Sequence, residues 1–292
     1  MVSNARPEAG VQRAVATGAI ATFNVFLICI FPALNFEFVP DFVRGSDFTP
    51  TSIKKNPYPL NQMTQSIHRY LDHAVLVPQM TLNDAVASIQ LGIDYQVKTV
   101  CVRPCDIDVA VTMCRGTQTG VSCVLGFPHG TACRESKAAE AALFCAKGVA
   151  EIDMVANYGR ICSGLWNDVR ADIKAVVDVA HEHHVLVKVI FETSQLTLEQ
   201  VAKATEISIE AGADFVKTST GFNGEGATEE TVARMLKTAN GRIKVKPSGG
   251  IRDAERANMF IAMGADRLGV NGTSTPAICC GQPNADAAQG GY

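Results

Sequence analysis

Several features that mark other classes of protein are scarce in this sequence of 292 residues. Charged residues form only 19% of the chain, which is too few for an intrinsically disordered chain or a coiled-coil rod. Acidic side chains outnumber basic ones by 29 to 26, so there is no excess of positive charge to neutralise a phosphate backbone. We therefore expect a globular protein whose partners do not include nucleic acid.

Cysteine is present, but not in the spacings that bind metal or build a disulfide framework. None of the ten cysteines belongs to a Cys-x-x-Cys pair, and Cys101 and Cys123 lie inside apolar runs. This pattern is typical of reduced, buried cysteines in a cytoplasmic protein. The run His181-Glu182-His183-His184 could suggest metal ligands, but its place at the end of a predicted helix favours interaction with the helix dipole. No metal ion or organic cofactor is predicted.

One long uncharged stretch, residues 14–36, stands apart from the rest of the chain. Its length and the basic residues before it would suit a signal peptide or a short membrane span. Polar and helix-breaking residues such as Asn24 and Pro32 lie inside it, and no small-residue cleavage site follows. We therefore predict a partly apolar N-terminal extension over 1–63 that does not place the protein in a membrane.

From about residue 64, short β-rich runs alternate with helical stretches at the length of one strand, one helix and two loops. The predicted strands are Arg69–His73, Thr99–Arg103, Val121–Phe127, Glu151–Ala156, Val185–Phe191, Asp214–Thr220, Lys244–Lys246 and Arg267–Val270. The predicted helices include Glu135–Lys147, Val169–His181, Leu198–Ala211, Glu229–Ala239 and Ala254–Met263. Eight such units predict an α/β fold, a (β/α)8 TIM barrel over 64–275 with a flexible tail over 276–292. An open doubly wound sheet is the competing architecture.

Polar side chains at the C-terminal ends of barrel strands are the functional candidates, and three lysines are prominent among them. Lys217 either points into the barrel or points outward between helices. Lys246 lies at the end of the next strand, so two inward-pointing ammonium groups would be close neighbours. Repulsion between them makes one give up its proton more readily, and we therefore favour a functional, inward-pointing Lys217. A neutral amine forms a Schiff base with a carbonyl substrate. Lys188 is a third inward candidate.

Acidic and thiol side chains at other strand ends complete this set. Asp153, between Ile152 and Met154, is either a residue at a solvent-facing edge or a buried partner of the lysines. Because lysines are predicted on neighbouring strands, a buried carboxylate that shuttles protons is the favoured interpretation. Asp72 and Cys101 are predicted to line the substrate pocket, and no adjacent base suggests a nucleophilic role for the thiol.

Glycine-rich turns follow the seventh and eighth predicted strands, Ser248-Gly249-Gly250 and Gly269-Val270-Asn271-Gly272. Glycines there let backbone N–H groups approach an anion, and barrels commonly bind phosphate at this place. Either turn alone would also suit a plain chain reversal. Together they predict a phosphate site, with Thr220 and Gly221 after the sixth strand as further binding candidates.

A series of segments occurs in the order typical of one enzyme family. They are Tyr70-Leu71-Asp72-His73, Thr99-Val100-Cys101-Val102-Arg103-Pro104, Gly126-Phe127-Pro128-His129-Gly130, Glu151-Ile152-Asp153-Met154-Val155, Leu186-Val187-Lys188-Val189-Ile190-Phe191-Glu192-Thr193, Lys217-Thr218-Ser219-Thr220-Gly221-Phe222 and Lys246-Pro247-Ser248-Gly249-Gly250-Ile251-Arg252. In these segments, over roughly residues 66–272, the sequence resembles the deoxyribose-phosphate aldolases, which are class I aldolases. The last two segments together are highly specific for that family.

The resemblance implies roles and a reaction. Lys217 would be the Schiff-base lysine, Asp153 the proton-shuttling acid and base, and Lys246 the second lysine that activates the first. The family reversibly cleaves 2-deoxy-D-ribose 5-phosphate to acetaldehyde and D-glyceraldehyde 3-phosphate without a metal or organic cofactor. Activity on another phosphorylated sugar, and a sugar-phosphate-binding protein without activity, are the alternatives. The expected partners are these small molecules, and a homodimer is left open.

Two features depart from the family pattern. Asn271-Gly272 stands where the family usually has Ser or Thr, and no clear final helix follows Thr275.

The chain ends in Tyr292, for which there are two interpretations. The phenol either belongs to an accidental aromatic end, or it folds over the barrel mouth and assists proton transfer at the substrate methyl carbon.

Overall fold

A computed structural model describes residues 67–281, and its architecture is a barrel of parallel strands surrounded by helices. The strands are β1 (Leu71–Val75), β2 (Thr99–Val102), β3 (Gly120–Leu125), β4 (Glu151–Val155), β5 (Leu186–Ile190), β6 (Phe215–Lys217), β7 (Lys244–Lys246) and β8 (Leu268–Asn271). The helices are α1 (Leu82–Asp94), α2 (Ile107–Cys114), α3 (Arg134–Ala146), α4 (Tyr158–Cys162), α5 (Trp166–Glu182), α6 (Leu198–Glu210), α7 (Glu229–Ala239), α8 (Ala254–Met263) and α9 (Thr275–Cys280). The expected (β/α)8 TIM barrel is confirmed.

The eight strands pair in parallel in the order β7-β6-β5-β4-β3-β2-β1-β8. The two outermost strands of this sequence meet through an isolated bridge between Ser248 and Gly269, where the Gly269 N–H donates to the Pro247 carbonyl at 2.8 Å. The Asp266 N–H donates to the Val245 carbonyl at 3.0 Å. These contacts bring β7 and β8 together and close the barrel almost completely.

The predicted strand positions differ from the observed ones by only a few residues, and the largest difference is at β6. Its ladder ends at Lys217 instead of reaching Thr220. There the Thr218 hydroxyl donates to the Ser248 carbonyl at 3.0 Å and accepts from the Ser248 N–H at 2.9 Å. The Thr218 side chain thus continues the connection to Ser248 beyond the ladder, which hydrophobic periodicity cannot reveal.

Local capping explains where two outer helices begin. Thr197 before α6 and Thr228 before α7 each accept a hydrogen bond from the third helical N–H, with a reciprocal bond that completes a capping box. The helices bury apolar faces against the outward side of the strands, which contribute Ile152, Val187 and Val245 to the core. Alternate strand residues consequently point into the barrel.

The chain after β8 forms a helix that the sequence did not predict. Helix α9 spans only Thr275–Cys280, and it begins beside Pro276, whose missing N–H is harmless at a helix start. Ile278 and Cys279 are buried, so packing stabilises a helix that is too short to show a clear period. The expected tail over 276–292 therefore includes helical residues at its beginning.

Several sequence-based expectations concern residues that the structure does not describe. The extension over 1–63 with its stretch at 14–36, and Tyr292, lie outside the described residues. Within residues 67–281, no helix is both long and apolar enough to cross a membrane.

Candidate active site

Three lysines converge on one aspartate inside the barrel. Asp153 Oδ2 accepts from Lys217 Nζ at 2.9 Å and from Lys246 Nζ at 2.6 Å, while Oδ1 accepts from Lys188 Nζ at 2.7 Å. All four side chains are between 0% and 2% exposed. The structure thus points all four side chains inward and brings them together.

Strand register explains why they meet. Asp153 on β4 pairs with Lys188 on β5, and Lys217 on β6 pairs with Lys246 on β7. The members of each pair lie at the same depth in the barrel, and the two pairs are two residues apart, because Lys217 pairs with Ile190 and not with Lys188. The long side chains of Lys217 and Lys246 span this step to reach Asp153. Gly269 on β8 leaves space beside them, because a Cβ atom there would lie 3.2 Å from Lys246 Cε and 2.3 Å from Ser248 Oγ.

Lys188 is held as an ammonium ion. Its Nζ contacts carboxylate oxygens of Glu151 at 2.5 Å, Asp153 at 2.7 Å and Asp72 at 3.3 Å. Burial disfavours the charge, but the three carboxylates outweigh burial and raise the pKa of Lys188 well above its usual value. A lysine that keeps its proton cannot be the nucleophile, and Lys188 therefore supports the cluster.

Asp72 and Arg267 form a second layer of charge. Asp72 accepts from Lys246 at 2.5 Å, from Arg267 at 2.7 Å and from the Thr99 hydroxyl at 2.7 Å. Arg267 also binds Glu151 at 2.9 Å. Burial opposes ionisation of Asp72, but Lys188, Lys246 and Arg267 hold its pKa below the usual range. Asp72, which was expected to contact substrate, thus has protein partners on both oxygens.

The balance of charge singles out Lys217. Four buried cations, Lys188, Lys217, Lys246 and Arg267, face three carboxylates, those of Asp72, Glu151 and Asp153. Lys217 contacts one carboxylate oxygen, and it shares that oxygen with Lys246. Lys246 contacts two carboxylates and Lys188 contacts three. The cluster is therefore electrically neutral when Lys217 is an uncharged amine.

Asp153 is ionised in this environment. Burial favours its neutral form, but the charges of Lys188 and Lys246, together with that of Lys217 when it is protonated, hold the pKa of Asp153 well below the usual value. An ionised carboxylate between two amines can accept a proton from one and return it to another group. The arrangement can thus support nucleophilic attack by an amine together with proton transfer.

A cleft of about 240 Å³, here called the glycine cleft, opens at the ends of β6, β7 and β8. Its lining consists of Gly221, Gly224, Glu225, Gly226, Gly249, Gly250, Ile251, Arg252, Gly269 and Asn271. Gly249 and Gly250 have φ angles of 87° and 75°, which favour glycine. Their N–H groups donate to no acceptor within residues 67–281. Backbone donors and a guanidinium around a small cleft are suited to an anion.

The expected phosphate-binding residues divide between this cleft and its surroundings. Gly221, Gly249, Gly250, Gly269 and Asn271 line it. Asn271 Oδ1 accepts from the Thr273 N–H at 3.2 Å, an orientation that leaves its amide N–H groups to donate elsewhere. Two further candidates are buried behind the lining: Thr220 hydrogen-bonds Glu192, and Ser248 Oγ has no partner within the described residues.

An apolar cleft of about 440 Å³ lies on the other side of the loop that follows β6. Leu76, Val124, Phe127 and Phe222 are among its lining residues, and the two phenyl rings meet edge to face with centroids 5.2 Å apart. Cys101 packs with Leu76 and Val124. Burial, followed by the charge of Asp153, raises the pKa of the Cys101 thiol, which stays a small neutral group. Cys101, expected to line the pocket, is buried behind the residues that line the two clefts.

Several strand-end residues have structural roles instead. Arg103 binds Asp106 at 2.6 Å and donates to the carbonyl of Met80, which joins two loops. Asn157 caps α4. His181 contacts Asp214 at 2.9 Å, and no group of three metal-ligating side chains occurs among the described residues.

Sequence reasoning missed Glu151, Arg267 and Arg252 as members of the site. Strand alternation held a signal for the first two. Glu151 is two residues before Asp153, and Arg267 is two before Gly269, so both share the inward face. Arg252 follows a glycine turn, and only the folded loop places it at the glycine cleft.

Comparison with known proteins agrees with this geometry. Residues 67–275 match the model of a family described as DeoC/LacD family aldolase. The chain therefore belongs to this family of aldolases. A deoxyribose-phosphate aldolase from Mannheimia succiniciproducens is 42% identical over 207 residues, covering 71% of this chain and 92% of the relative. One from Clostridium perfringens is 40% identical over 218 residues, covering 75% and 96%.

Solved structures show the same architecture. A deoxyribose phosphate aldolase from Aeropyrum pernix, described as tetrameric, superimposes with a TM-score of 0.68 at 28% identity, covering 75% of this chain and 94% of that one. A protein described as QR15, an aldolase, superimposes with a TM-score of 0.69 at 37% identity, covering 73% and 94%. The resemblance inferred from sequence motifs is thereby confirmed.

Proposed function

We propose that this protein is a class I aldolase that reversibly cleaves 2-deoxy-D-ribose 5-phosphate to acetaldehyde and D-glyceraldehyde 3-phosphate. The observation that carries the proposal is the position of Lys217, which is buried and shares its single carboxylate oxygen with Lys246. Membership of the aldolase family and the named relatives support the choice of reaction.

Lys217 acts as the nucleophile. Its neutral amine adds to the C1 aldehyde of the open-chain sugar, and loss of water from the adduct gives an iminium ion. The iminium withdraws the electron pair of the C2–C3 bond while a base removes the C3 hydroxyl proton. This step releases D-glyceraldehyde 3-phosphate and leaves an enamine. Protonation at C2 and addition of water then release acetaldehyde and restore the amine.

Asp153 and Lys246 handle the protons. The Asp153 carboxylate lies within hydrogen-bond reach of both amines, so it can pass protons between Lys217, Lys246 and a bound water. Lys246 keeps a positive charge next to Lys217, which favours the neutral form of the nucleophile. Lys188 and Asp72, which lie behind this pair, fix its position.

The glycine cleft is assigned to the phosphate group. Gly249 and Gly250 supply N–H donors, Arg252 supplies positive charge, and Asn271 supplies a side-chain amide. Asn271 thus replaces the hydroxyl usual in the family with another donor.

The reaction as proposed uses no metal ion or organic cofactor. We also infer a cytoplasmic enzyme, since all nine described cysteines are free, and a homodimer stays open.

The test measures acetaldehyde release from 2-deoxyribose 5-phosphate and covalent trapping by borohydride. We expect release by the wild type, trapping on Lys217, and loss of both in Lys217→Ala. Lys244→Ala is the matched control, because Lys244 is an exposed lysine of the same strand, two residues before Lys246. Turnover of a different phosphorylated aldehyde alone would favour an aldolase of other specificity. Sugar-phosphate binding without turnover would favour a pseudoenzyme.

A further inference from the structure

Glu192 is a buried carboxyl group to which the mechanism above gives no role. It lies two residues after the end of β5, and it is 0% exposed. Its backbone has a φ of 58° and a ψ of 64°, the left-handed conformation that only a few per cent of non-glycine residues adopt. Such a conformation persists only where surrounding interactions stabilise it, and it is concentrated at functional sites.

Within residues 67–281, the side-chain hydrogen bonds of Glu192 go to the loop that follows Lys217. Its Oε1 accepts from the Thr220 N–H at 3.2 Å, and its Oε2 accepts from the Thr220 hydroxyl in a very short bond. The same hydroxyl accepts from the Phe222 N–H at 3.1 Å. A single hydroxyl thus connects the carboxylate to the backbone of Phe222.

Other bonds fasten the two segments on either side of this point. The Phe191 N–H donates to the Lys217 carbonyl at 3.0 Å, and the Thr193 N–H donates to the Thr218 carbonyl at 3.0 Å. The segment from 191 to 193 therefore runs alongside residues 217 to 220, with Glu192 in the middle. Glu192 holds this loop at Thr220, and farther along Ser194 Oγ donates to the Asn223 carbonyl at 2.8 Å.

The tip of the loop separates the two clefts. Gly221 lines the glycine cleft, whereas Phe222 lines the apolar cleft and packs edge to face on Phe127. A change in the conformation of Thr220 would displace both residues at once. Lys217 itself is fixed by the β6 ladder and by Asp153, so it would be affected much less.

We propose that Glu192 is a positioning residue that fixes the loop tip, so that it determines binding of the phosphorylated end of the substrate and not the chemistry at Lys217. The proposal rests on the assignment of the glycine cleft to phosphate. Glu192 acts through the chain of hydrogen bonds that leads from its carboxylate through the Thr220 hydroxyl to the Phe222 N–H.

The first experiment compares Glu192→Gln with the wild type on 2-deoxyribose 5-phosphate and on unphosphorylated 2-deoxyribose. The amide of Gln has a single acceptor oxygen, so it cannot accept from both the Thr220 N–H and the Thr220 hydroxyl, and one of the two bonds is lost. We expect KM for the phosphorylated sugar to rise about tenfold, the effect of one lost charge-assisted hydrogen bond, with kcat and borohydride trapping little changed. For the unphosphorylated sugar, kcat/KM should stay the same. An equal loss with both sugars would overturn the proposal, since Glu192 would then act at Lys217.

Thr220 provides a second route to the same bond, which matters if Glu192→Gln folds poorly. Thr220→Val removes the hydroxyl and should give the same rise in KM, while Thr220→Ser should recover most of it. The double variant Glu192→Gln/Thr220→Val should be no worse than either single variant, because both break one chain of bonds. Multiplied effects would contradict the proposed chain.

Calorimetric titration with inorganic phosphate distinguishes failure of this inference from failure of the proposed function. Wild-type protein that binds phosphate but does not turn over the sugar would refute the proposed reaction, and Glu192→Gln should still weaken phosphate binding about tenfold. Unchanged phosphate affinity in both Glu192→Gln and Thr220→Val would refute the positioning role whatever the activity of the wild type.

Discussion

Lys217 and Lys246 donate to the same oxygen, Oδ2 of Asp153, at 2.9 and 2.6 Å. Two ammonium groups on one oxygen repel each other in an interior that screens charge poorly. Lys246 has a second carboxylate, that of Asp72, and Lys217 does not. Two chemically identical side chains therefore have different roles, because Lys246 has two carboxylate partners and Lys217 shares its single one.

Lys246→Ala should move the rate profile to higher pH. The substitution removes a positive charge whose repulsion favours an uncharged amine at Lys217, so attack on the substrate should require a more alkaline solution. The measurement is kcat/KM from pH 6 to 10, with Lys244→Ala as the control that should keep the wild-type profile. If Lys246→Ala loses activity at every pH and its rate profile is not displaced along the pH axis, Lys246 acts through hydrogen bonding or proton transfer.

Removal of one partner from the buried ion pair Lys137–Asp172 should strongly destabilise the protein. Lys137 Nζ lies 2.6 Å from Asp172 Oδ2 and donates to the Val155 carbonyl at the end of β4. Lys137→Met leaves a buried carboxyl group without its partner and should lower the free energy of unfolding by about 3–5 kcal/mol.

Denaturant titration measures this change, and two further variants serve as controls. Lys174 forms an exposed pair with Asp178, and Lys174→Ala should change the free energy of unfolding by less than about 0.5 kcal/mol. Lys137→Met/Asp172→Leu should recover much of the loss, since no unpaired charge remains. If Lys137→Met costs no more than Lys174→Ala, the buried pair is not stabilising the outer ring.

His73 should make stability depend on pH between about 4 and 6.5. Its ring is buried, with Nδ1 2.8 Å from Thr275 Oγ1 and Nε2 3.0 Å from Ser88 Oγ. Burial lowers the pKa of His73 to about 4, whereas in the unfolded chain it is near 6.5. As the pH falls through this range, the unfolded chain takes up a proton that the folded protein does not, and stability declines by up to about 3 kcal/mol.

The free energy of unfolding at pH 7, 5.5 and 4.5 tests this expectation. His73→Gln should flatten the decline, while His181→Gln, at a partly exposed position, should keep it. The carboxylates Asp72 and Asp153 do not obscure the result, because their lowered pKa values confine their loss of stabilisation to lower pH. An unchanged slope in His73→Gln would assign the decline to other groups.

Much of the barrel and the chemistry at its centre could be predicted from the sequence, because both depend on local periodicity. Alternation along β4 and β7 places Asp153 and Lys246 inside, and their strand ends mark the active face. Partners that join distant strands could not be predicted in this way. Arg267 reaches Glu151 across 116 residues, and Lys137 reaches Asp172 across 35, so only the closed barrel reveals those pairs.

Glu192 shows a different limit. Its position after a strand marks it as a candidate, but its left-handed backbone and its bonds to Thr220 are properties of two loops packed together. Helix α9 was missed because six residues carry too little periodicity, and burial of Ile278 stabilises it instead.

The last prediction concerns Tyr292, which lies outside the described residues. If its phenol assists proton transfer at the methyl carbon, deleting Tyr292 should slow exchange of acetaldehyde methyl protons with solvent and leave borohydride trapping at Lys217 unchanged. Exchange is followed by NMR in deuterated water, and Tyr292→Phe should behave like the deletion because only the hydroxyl is needed.

The described end of the chain makes this a demanding test. Helix α9 ends at Cys280, whose sulfur lies 3.7 Å from the hydroxyl of Tyr95 at the end of α1. Since α1 starts near the active face and runs away from it, the residues after Gly281 begin farther from the barrel mouth than Thr275 does. If the deletion and Tyr292→Phe both leave exchange and turnover unaffected, the terminal tyrosine has no part in the reaction.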